Sequence, residues 1–413
     1  MYNPDRFLTI KPNELTPNEV IYFCINTFRY NDNHGLLKSI EYSEKHNLKL
    51  TVVMYHIVED NARNNDYFLK GIQNYRKVYS DYQTILIESL EELGQLIKPK
   101  QYIIIDQPYL KEEKKILAFI KSHNKSVDNR IELVESNVLV PVKVATTKET
   151  YSARTIRSRI WTHAANFMDS NHLTEEMFIG EQNALETLNQ FRNESLDYYH
   201  LKNDPSTTYT SKLSVSLKYG FISPVRILKE IMSLHHHNSD SFIEELIVRR
   251  ELAYNFIYYN EQYDDFNHIT YEWAYQTMLA HQYDHREYLY VIDDYIHFKT
   301  HDPYFNTAMK EMVYNGYMHG YMRMYWAKKV IEWSASYEEA YKTLIYLNNY
   351  YFLDGNTPNG YTGVAWCFGK HDRAWKERLI FGKIRYINSN GLKRKFDIEG
   401  YVKRIQEEVD DYE

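Results

Sequence analysis

The chain of 413 residues is long enough for two or three packed units and a large core. Its hydrophobic content of 44% and charged content of 25% are typical of a globular protein, and its net charge of −7 excludes a generally basic surface. Any contact with nucleic acid must therefore come from a local basic patch. Two cysteines, Cys24 and Cys367, are too few for a disulfide framework or a Cys-rich metal centre, so we expect no metal site.

The start of the chain has no pattern of a charged segment followed by an apolar one, which argues against secretion. We find no run of about eighteen apolar residues and therefore expect no contact with a membrane. These features, with the low cysteine count, predict an intracellular protein of the nucleus or cytoplasm, and we expect a monomer.

The first 150 residues alternate between strand-like and helix-like patterns. An apolar run at 20–25 is followed by a helical stretch at 34–46, and further β-rich runs lie at 48–57, 82–87 and 102–105. Continuous apolar strands separated by helices predict an α/β lobe with a parallel, Rossmann-like sheet whose faces are covered. No Gly-x-Gly-x-x-Gly pattern follows the first strand, so a conventional dinucleotide site is disfavoured.

Beyond about residue 150 the pattern becomes helical. Residues 206–413 show long stretches of 3.6-residue periodicity, which predicts an all-α C-terminal lobe. One helix is predicted at 241–260 and another at 308–334, where Gly316 and Gly320 are weak points.

Two of the six tryptophans, Trp326 and Trp333, lie seven residues apart within the second of these helices. This spacing places both indoles on one helix face, two turns or roughly 10 Å apart. Such a pair can fill a core, or it can pass an electron from one ring to the next.

A loop follows the tryptophan pair: Leu353-Asp354-Gly355-Asn356-Thr357-Pro358-Asn359-Gly360-Tyr361, then Trp366 and His371-Asp372-Arg373-Ala374-Trp375. In this order, these segments closely resemble class II cyclobutane pyrimidine dimer DNA photolyases of the photolyase/cryptochrome superfamily. Those enzymes use light and reduced FAD to repair dimers in DNA. The resemblance implies an antenna-binding α/β domain at 1–140, an interdomain connection at 141–200 and a helical, FAD-binding catalytic domain at 201–413.

A second pattern resembles the family segment that binds the FAD diphosphate through hydroxyls and backbone N–H groups. Its members are Tyr198, Thr210, Ser211, Lys212, Leu213 and Ser214, followed by the segment 219–224. Ser and Thr at a loop-to-helix junction suit an anion, although helix capping is an alternative explanation. The family usually has Asn where Lys212 stands.

The segment 242–252 is very close to the family sequence Glu-Glu-Leu-Ile-Val-Arg-Arg-Glu-Leu. Glu245 matches the acid that binds the bases of the dimer, where a buried acid would stabilise negative charge. Arg249, one turn on, would face the flavin. An ion pair on the helix surface is the alternative.

The resemblance also assigns the residues around the flavin ring. Arg323 and Asp354 match a pair that clamps its edge, and Asn348 matches the asparagine beside N5 that tunes its redox behaviour. Asp354, Gly355 and Asn356 would form a tight loop against the ring, although Asp-Gly favours a turn in any protein.

The resemblance assigns substrate binding to a further set of residues. Trp366 matches the indole that stacks on the flipped dimer, whose poor stacking makes extrusion easier, and Met324 would line the same pocket. A basic patch would contact phosphates, with a solvated basic face as the alternative. Its members are Lys383, Arg385, Lys393, Arg394 and Lys395.

Two features depart from the family pattern. The family motif Thr-His-Asp-x-x-Trp ends in an outer electron carrier, whereas this chain has Thr300-His301-Asp302-Pro303-Tyr304-Phe305. Phenylalanine is a poor relay, so we predict slow or rerouted photoreduction of FAD, with Tyr304, Tyr321 and Tyr325 close in sequence. The interval from Trp366 to His371 is also one residue shorter, which predicts a tighter loop.

The sequence therefore predicts a light-driven lyase for cyclobutane pyrimidine dimers, with Glu245, Asn348, Trp326 and Trp333 as its catalytic residues. The cofactor would be FAD, and the class implies a deazaflavin-type antenna. A cryptochrome-like photoreceptor without repair activity is the alternative, and a damage-binding protein that has lost flavin is a more distant one.

Overall fold

The computed structural model describes residues 2–12, 16–123, 128–169 and 176–410. The chain divides into two compact units. The first, here the sheet unit, comprises Met1–Asn193 and Ser211–Tyr258, and the second, the helical unit, comprises Glu194–Thr210 and Tyr259–Glu413.

Within its described residues, the sheet unit contains one sheet of six strands in the order β1-β6-β5-β2-β3-β4. Strands β2 to β6 run parallel to their neighbours, and β1 pairs antiparallel with β6. The strands are β1 Phe7–Lys11, β2 Glu19–Cys24, β3 Lys49–Tyr55, β4 Gln83–Ile87, β5 Gln101–Asp106 and β6 Arg130–Val134. The four strands predicted from apolar runs are confirmed.

Strands β1 and β6 were not predicted, and their composition explains why. The edge strand β1 is mostly half-buried or exposed, so it has no continuous apolar run. Strand β6 carries Glu132, whose buried carboxylate accepts hydrogen bonds from Tyr102 at 2.7 Å and Thr9 at 3.2 Å. Polar partners inside the fold thus replace the hydrophobic signal that marks the central strands.

Helices cover the sheet as expected for parallel strands. Apolar side chains from the strands and from Leu93, Ile116 and Ile120 form a buried core. The helices of this unit are His34–His46, Ala62–Ile72, Tyr75–Val78, Leu90–Leu96, Lys111–His123, Val142–Ala145, Ala153–Ala164, Ile179–Gln190, Ser214–Lys218, Pro224–Ser233, Ser239–Ile243 and Arg250–Tyr259. The helix predicted at 241–260 is interrupted by a wider π-helical turn at Glu244–Arg249.

Residues 211–258 group with the sheet rather than with the later helices. The guanidinium of Arg29, which follows β2, donates to the Gly220 carbonyl at 2.9 Å. Farther along, Asn255 accepts a hydrogen bond from the Thr150 backbone at 2.7 Å. The compact units therefore differ in extent from the predicted domains at 1–140, 141–200 and 201–413, which remain a prediction about function.

The helical unit consists of Glu272–Ala280, Ile292–Ile296, Pro303–Asn315, Gly320–Trp333, Tyr337–Tyr351, Pro358–Cys367, Ser389–Lys395 and Ile398–Val409. The stretch predicted as one helix at 308–334 is two, because Gly316 adopts φ 66° and ends the first. No helix in the described part of the chain is long and apolar enough to cross a membrane.

Candidate functional site

The helical unit holds a partly buried ion pair, here called the clamp, between Arg323 and Asp354. The guanidinium donates to both carboxylate oxygens, at 3.0 and 3.2 Å, and its Nε donates to the Met318 carbonyl at 2.9 Å. The guanidinium carbon also lies 4.0 Å from the ring centroid of Phe352. Because all these contacts come from different directions, the planar group has one orientation.

The predicted tight loop lies directly against the end of helix Tyr337–Tyr351. A Cβ on Gly355 would stand 2.5 Å from the Asn348 carbonyl oxygen, so only glycine permits this approach. Asn356 adopts φ 52° and its backbone N–H donates to Asn349 Oδ1 at 3.1 Å. The structure thus brings together the predicted residues Asn348, Asp354, Gly355 and Asn356. The turn at Gly355 and Asn356 also packs against the C-terminal end of helix Tyr337–Tyr351 and holds it in place.

Buried side chains around the clamp offer further donors. Asn348 is buried, and its amide donates to Asn349 Oδ1 at 2.9 Å. Trp326 packs edge-on against Phe352, with ring centroids 5.9 Å apart. Among the described residues, the buried indole Nε1 of Trp326 has no hydrogen-bond partner, an arrangement that costs free energy unless a ligand accepts the bond.

The helix that carries Arg323 and both tryptophans begins at a neutral histidine. His319 Nδ1 accepts from the Tyr321 backbone at 3.2 Å, and its Nε2 donates to the Lys202 carbonyl at 2.9 Å. Burial lowers the pKa of His319 to about 4, which keeps the imidazole in this neutral form. Sequence reasoning missed this residue, although its place before a helical run was an available signal.

The residues predicted to hold a diphosphate are divided between the units. In the helical unit, Tyr198 stacks on Tyr209 at 4.8 Å, and the Thr210 hydroxyl lies 3.1 Å from that of Tyr317. In the sheet unit, Ser214 starts the helix Ser214–Lys218.

Two further members of that set differ in burial and backbone conformation. Leu213 is buried, so its side chain belongs to the core. Lys212 adopts φ 54°, in the left-handed region where Asn is enriched, and the resemblance places an asparagine at this position. The lysine therefore has a backbone conformation that also suits asparagine.

Comparison with known proteins identifies the family. The chain is 34% identical over 444 residues to the deoxyribodipyrimidine photolyase of Methanothermobacter thermautotrophicus, covering 96% of this chain and 97% of that one. The chain belongs to the deoxyribodipyrimidine photolyase family. It is therefore a lyase that acts on DNA, as the sequence predicts. No family model matches the chain.

Solved structures share the fold of this photolyase. A Synechocystis cryptochrome aligns with a TM-score of 0.75 at 14% identity, over 96% of this chain and 90% of that one. The photolyase of Sulfolobus tokodaii, described with two FAD molecules, aligns with a TM-score of 0.68 at 14% identity, over 95% and 91% of the two chains. The predicted α/β and all-α architecture is confirmed.

A second cluster of the photolyase surrounds Trp366, which is half-buried on helix Pro358–Cys367. The guanidinium carbon of Arg385 lies 5.4 Å from the Trp366 ring and 4.3 Å from the Trp375 ring. Arg385 also forms a bidentate pair with Asp372, at 2.9 and 3.1 Å. Although burial opposes it, hydrogen bonding from Arg385 lowers the pKa of Asp372, so this carboxylate stays charged and orients the arginine.

Lys328 fixes the helix end beside Trp366. Its fully buried ammonium donates to the Cys367 carbonyl, at the C-terminus of that helix, where a positive charge is favourable. Burial lowers the pKa of Lys328 to about 8. The available signal was its place, with Lys329, inside the largely apolar run that carries both tryptophans.

The remaining predicted substrate residues are accessible. Met324 is half-buried, whereas Lys393 and Arg394 are exposed on helix Ser389–Lys395. Lys395 donates to the Tyr321 hydroxyl at 3.1 Å, and Lys383 is exposed. These positions suit contact with phosphates or with solvent.

The structure corrects one expectation in the sheet unit. Glu245, predicted to be a buried acid, is exposed, because Leu246, Ile247 and Val248 of the π-helical turn take the interior positions. An ion pair on the helix surface, the alternative considered, is present between Arg249 and Glu244 at 3.4 Å.

Phe305, which stands at the outer carrier position of the family motif, is fully buried, and its ring lies 5.0 Å from that of Trp333. Farther out, Tyr290 lies 5.4 Å from Trp333 and its hydroxyl is 2.9 Å from His301 Nδ1. Asp302, which accepts hydrogen bonds from Phe305 N and the Tyr325 hydroxyl, holds this arrangement.

Proposed function

We propose that this photolyase repairs cyclobutane pyrimidine dimers in DNA and belongs to class II. The observation that carries the proposal is that one unit contains both the Arg323–Asp354 clamp and the Trp366–Arg385–Trp375 cluster. The clamp suits a planar heterocycle with acceptor atoms, and the tryptophan cluster suits a pair of linked pyrimidines extruded from one DNA strand.

FAD fits the donors of the clamp region. The fixed guanidinium of Arg323, the buried amide of Asn348 and the unpartnered indole N–H of Trp326 are the kinds of group that a flavin ring requires. Tyr198, Thr210 and residues 211–214 would hold its diphosphate. When bound, FAD supplies the light-driven electron that splits the two carbon–carbon bonds between the pyrimidines.

On the substrate side, the chain's own residues position the lesion. The indole of Trp366 would stack on the dimer, with Met324 beside it, and Arg385 is oriented by Asp372 toward the same aromatic surface. Lys393 and Arg394 would pair with phosphates, which accounts for DNA binding by a chain of net charge −7.

Glu245 and Arg249 of the sheet unit would take the roles that the family resemblance assigns to them. Exposure leaves the Glu245 carboxyl accessible to a base, where it could share a proton as charge develops on the pyrimidine carbonyl. Arg249 would give up its ion pair with Glu244 to take the flavin-facing role that the resemblance assigns to it. Glu244 would still be paired with Arg157, at 2.7 Å.

Trp326 and Trp333 would supply electrons when bound FAD is oxidised. Phe305 stands where the family places a tryptophan, so we expect this supply to be slow or to pass through tyrosines such as Tyr290. A second chromophore is a further expectation. The class implies a deazaflavin, and its fluorescence in protein purified from the native source would identify it.

The deciding experiment measures loss of dimers from a thymine-dimer oligonucleotide, using chemically reduced protein under blue light and a dark control. Restoration of thymines only in the light supports the proposal. If FAD is bound and photoreducible but no dimer is lost, the cryptochrome-like photoreceptor becomes the better assignment, and the Phe305 substitution is the observation that favours it.

A further inference from the structure

An open cavity of about 570 Å³ lies beside Trp333 in the helical unit. The indole of Trp333 forms part of its wall, together with His301 and Tyr288, whose rings stack at 3.8 Å. Phe381 and Tyr386 line it as well. The volume lies in the range of small-ligand sites, and aromatic walls suit a planar guest.

The charged groups of the cavity are partly compensated. Lys329 forms an ion pair with Glu332 at 2.8 Å. The negative charge of Glu287 raises the pKa of the neighbouring Tyr288 hydroxyl. Arg378 has its guanidinium carbon 5.1 Å from the Tyr386 ring and forms no ion pair among the residues that the structure describes. It is therefore available for an acidic group.

The cavity is also connected to the predicted electron route. The Trp333 ring centroid lies 5.0 Å from that of the buried Phe305, and 5.1 and 5.4 Å from those of His301 and Tyr290. The ammonium of Lys329 lies 5.3 Å from the same ring. A nearby positive charge disfavours an oxidised, cationic indole, so oxidised Trp333 would take up an electron readily.

We propose that this cavity binds a small planar reductant carrying an acidic group, which re-reduces Trp333 after it has given up an electron. In this step the donor loses one electron to the Trp333 radical cation and then releases a proton to water, leaving neutral Trp333 and a donor radical. This role rests on the proposed electron supply through Trp333, whereas the binding site itself does not.

Reduced nicotinamide mononucleotide is a suitable probe, since it combines a reducing ring with a phosphate. Dark titration calorimetry on FAD-loaded protein should show saturable binding at one site. Arg378→Gln should weaken this binding about tenfold or more, as expected for a charged hydrogen bond. Lys376→Gln, an exposed cation of the same segment that does not line the cavity, should leave it unchanged.

Flash spectroscopy then tests the electron step. The lifetime of the oxidised tryptophan signal should shorten and level off as the probe saturates its site, and Trp333→Phe should retain probe binding while losing this effect. A linear dependence on probe concentration, or equal binding by the Arg378→Gln variant, overturns the proposal. Dimer repair by chemically reduced protein is measured on the same sample. Its failure alongside saturable binding would count against the proposed function and not against the cavity.

Discussion

Phe305 packs edge-on against Trp333, with ring centroids 5.0 Å apart and planes inclined at 68°. Both side chains are buried, and the Phe305 ring also lies 5.2 Å from that of Tyr295. A ring without redox activity therefore sits in the interior between possible carriers, in a family whose motif places tryptophan there. Electron supply and repair become separable properties of this photolyase.

Replacing Phe305 by tryptophan should accelerate photoreduction of bound FAD severalfold, because a redox-active indole would then contact Trp333. Flash spectroscopy measures the rate. The larger ring enters a packed core at a cost of about 1–3 kcal/mol, which thermal unfolding would register. Phe305→Leu is the control for packing and should give no acceleration, and repair by chemically reduced protein should be unchanged in both variants.

Asp354→Asn should weaken FAD retention about 10- to 150-fold. The substitution removes one charged partner of Arg323 and leaves the guanidinium without its bidentate acceptor, and hydrogen bonds of this kind contribute about 1.5–3 kcal/mol. Release of FAD on dilution, followed by flavin fluorescence, provides the measurement. Asp293→Asn, at an exposed carboxylate, is the matched control. Equal retention by both variants would count against the flavin assignment of the clamp.

Trp366→Ala should reduce the preference for dimer-containing over undamaged DNA about 5- to 150-fold, since stacking contributes about 1–3 kcal/mol per base. Trp366→Phe should keep most of the preference because it retains an aromatic face. Both affinities are compared at one fixed salt concentration, as phosphate contacts depend on salt. An unchanged ratio for the alanine variant would show that the dimer binds elsewhere.

His319→Asn should remove a pH-dependent part of the stability. Burial first, and then the charge of Arg404, lower the pKa of His319 to about 4, below the unfolded value of about 6.5. The unfolded state therefore binds more protons in this window, so the wild type loses stability as pH falls from 6.5 toward 4. The loss between pH 7 and 5 amounts to about 2 kcal/mol.

Urea unfolding at pH 7 and pH 5 tests this prediction. Asparagine can still cap the helix at the Tyr321 N–H, so the variant should fold, and it should lack this decline. The difference in unfolding free energy between wild type and variant should therefore be smaller at pH 5. An equal difference at the two values would refute the assignment of a neutral histidine here.

Much of the fold followed from local patterns in the sequence. Strands β2 to β5 lie on the β-rich runs of the sequence, the helix His34–His46 has its expected bounds, and Gly316 ends a helix where a weak point was predicted. The order of short motifs also indicated the family, because residues such as Arg323, Asn348 and Asp354 belong to contiguous segments. These features depend on neighbours in the chain, which the sequence displays directly.

Other features depended on contacts between distant segments, which no local pattern encodes. Residues 211–258 read as part of the helical lobe, yet partners such as Arg29 and Thr150 hold them to the sheet. Glu245 is exposed because Leu246, Ile247 and Val248 of the same π-helical turn pack into the core. The place of Phe305 beside Trp333, and the cavity next to them, arise because four separate segments converge there, a matter of packing rather than of sequence periodicity.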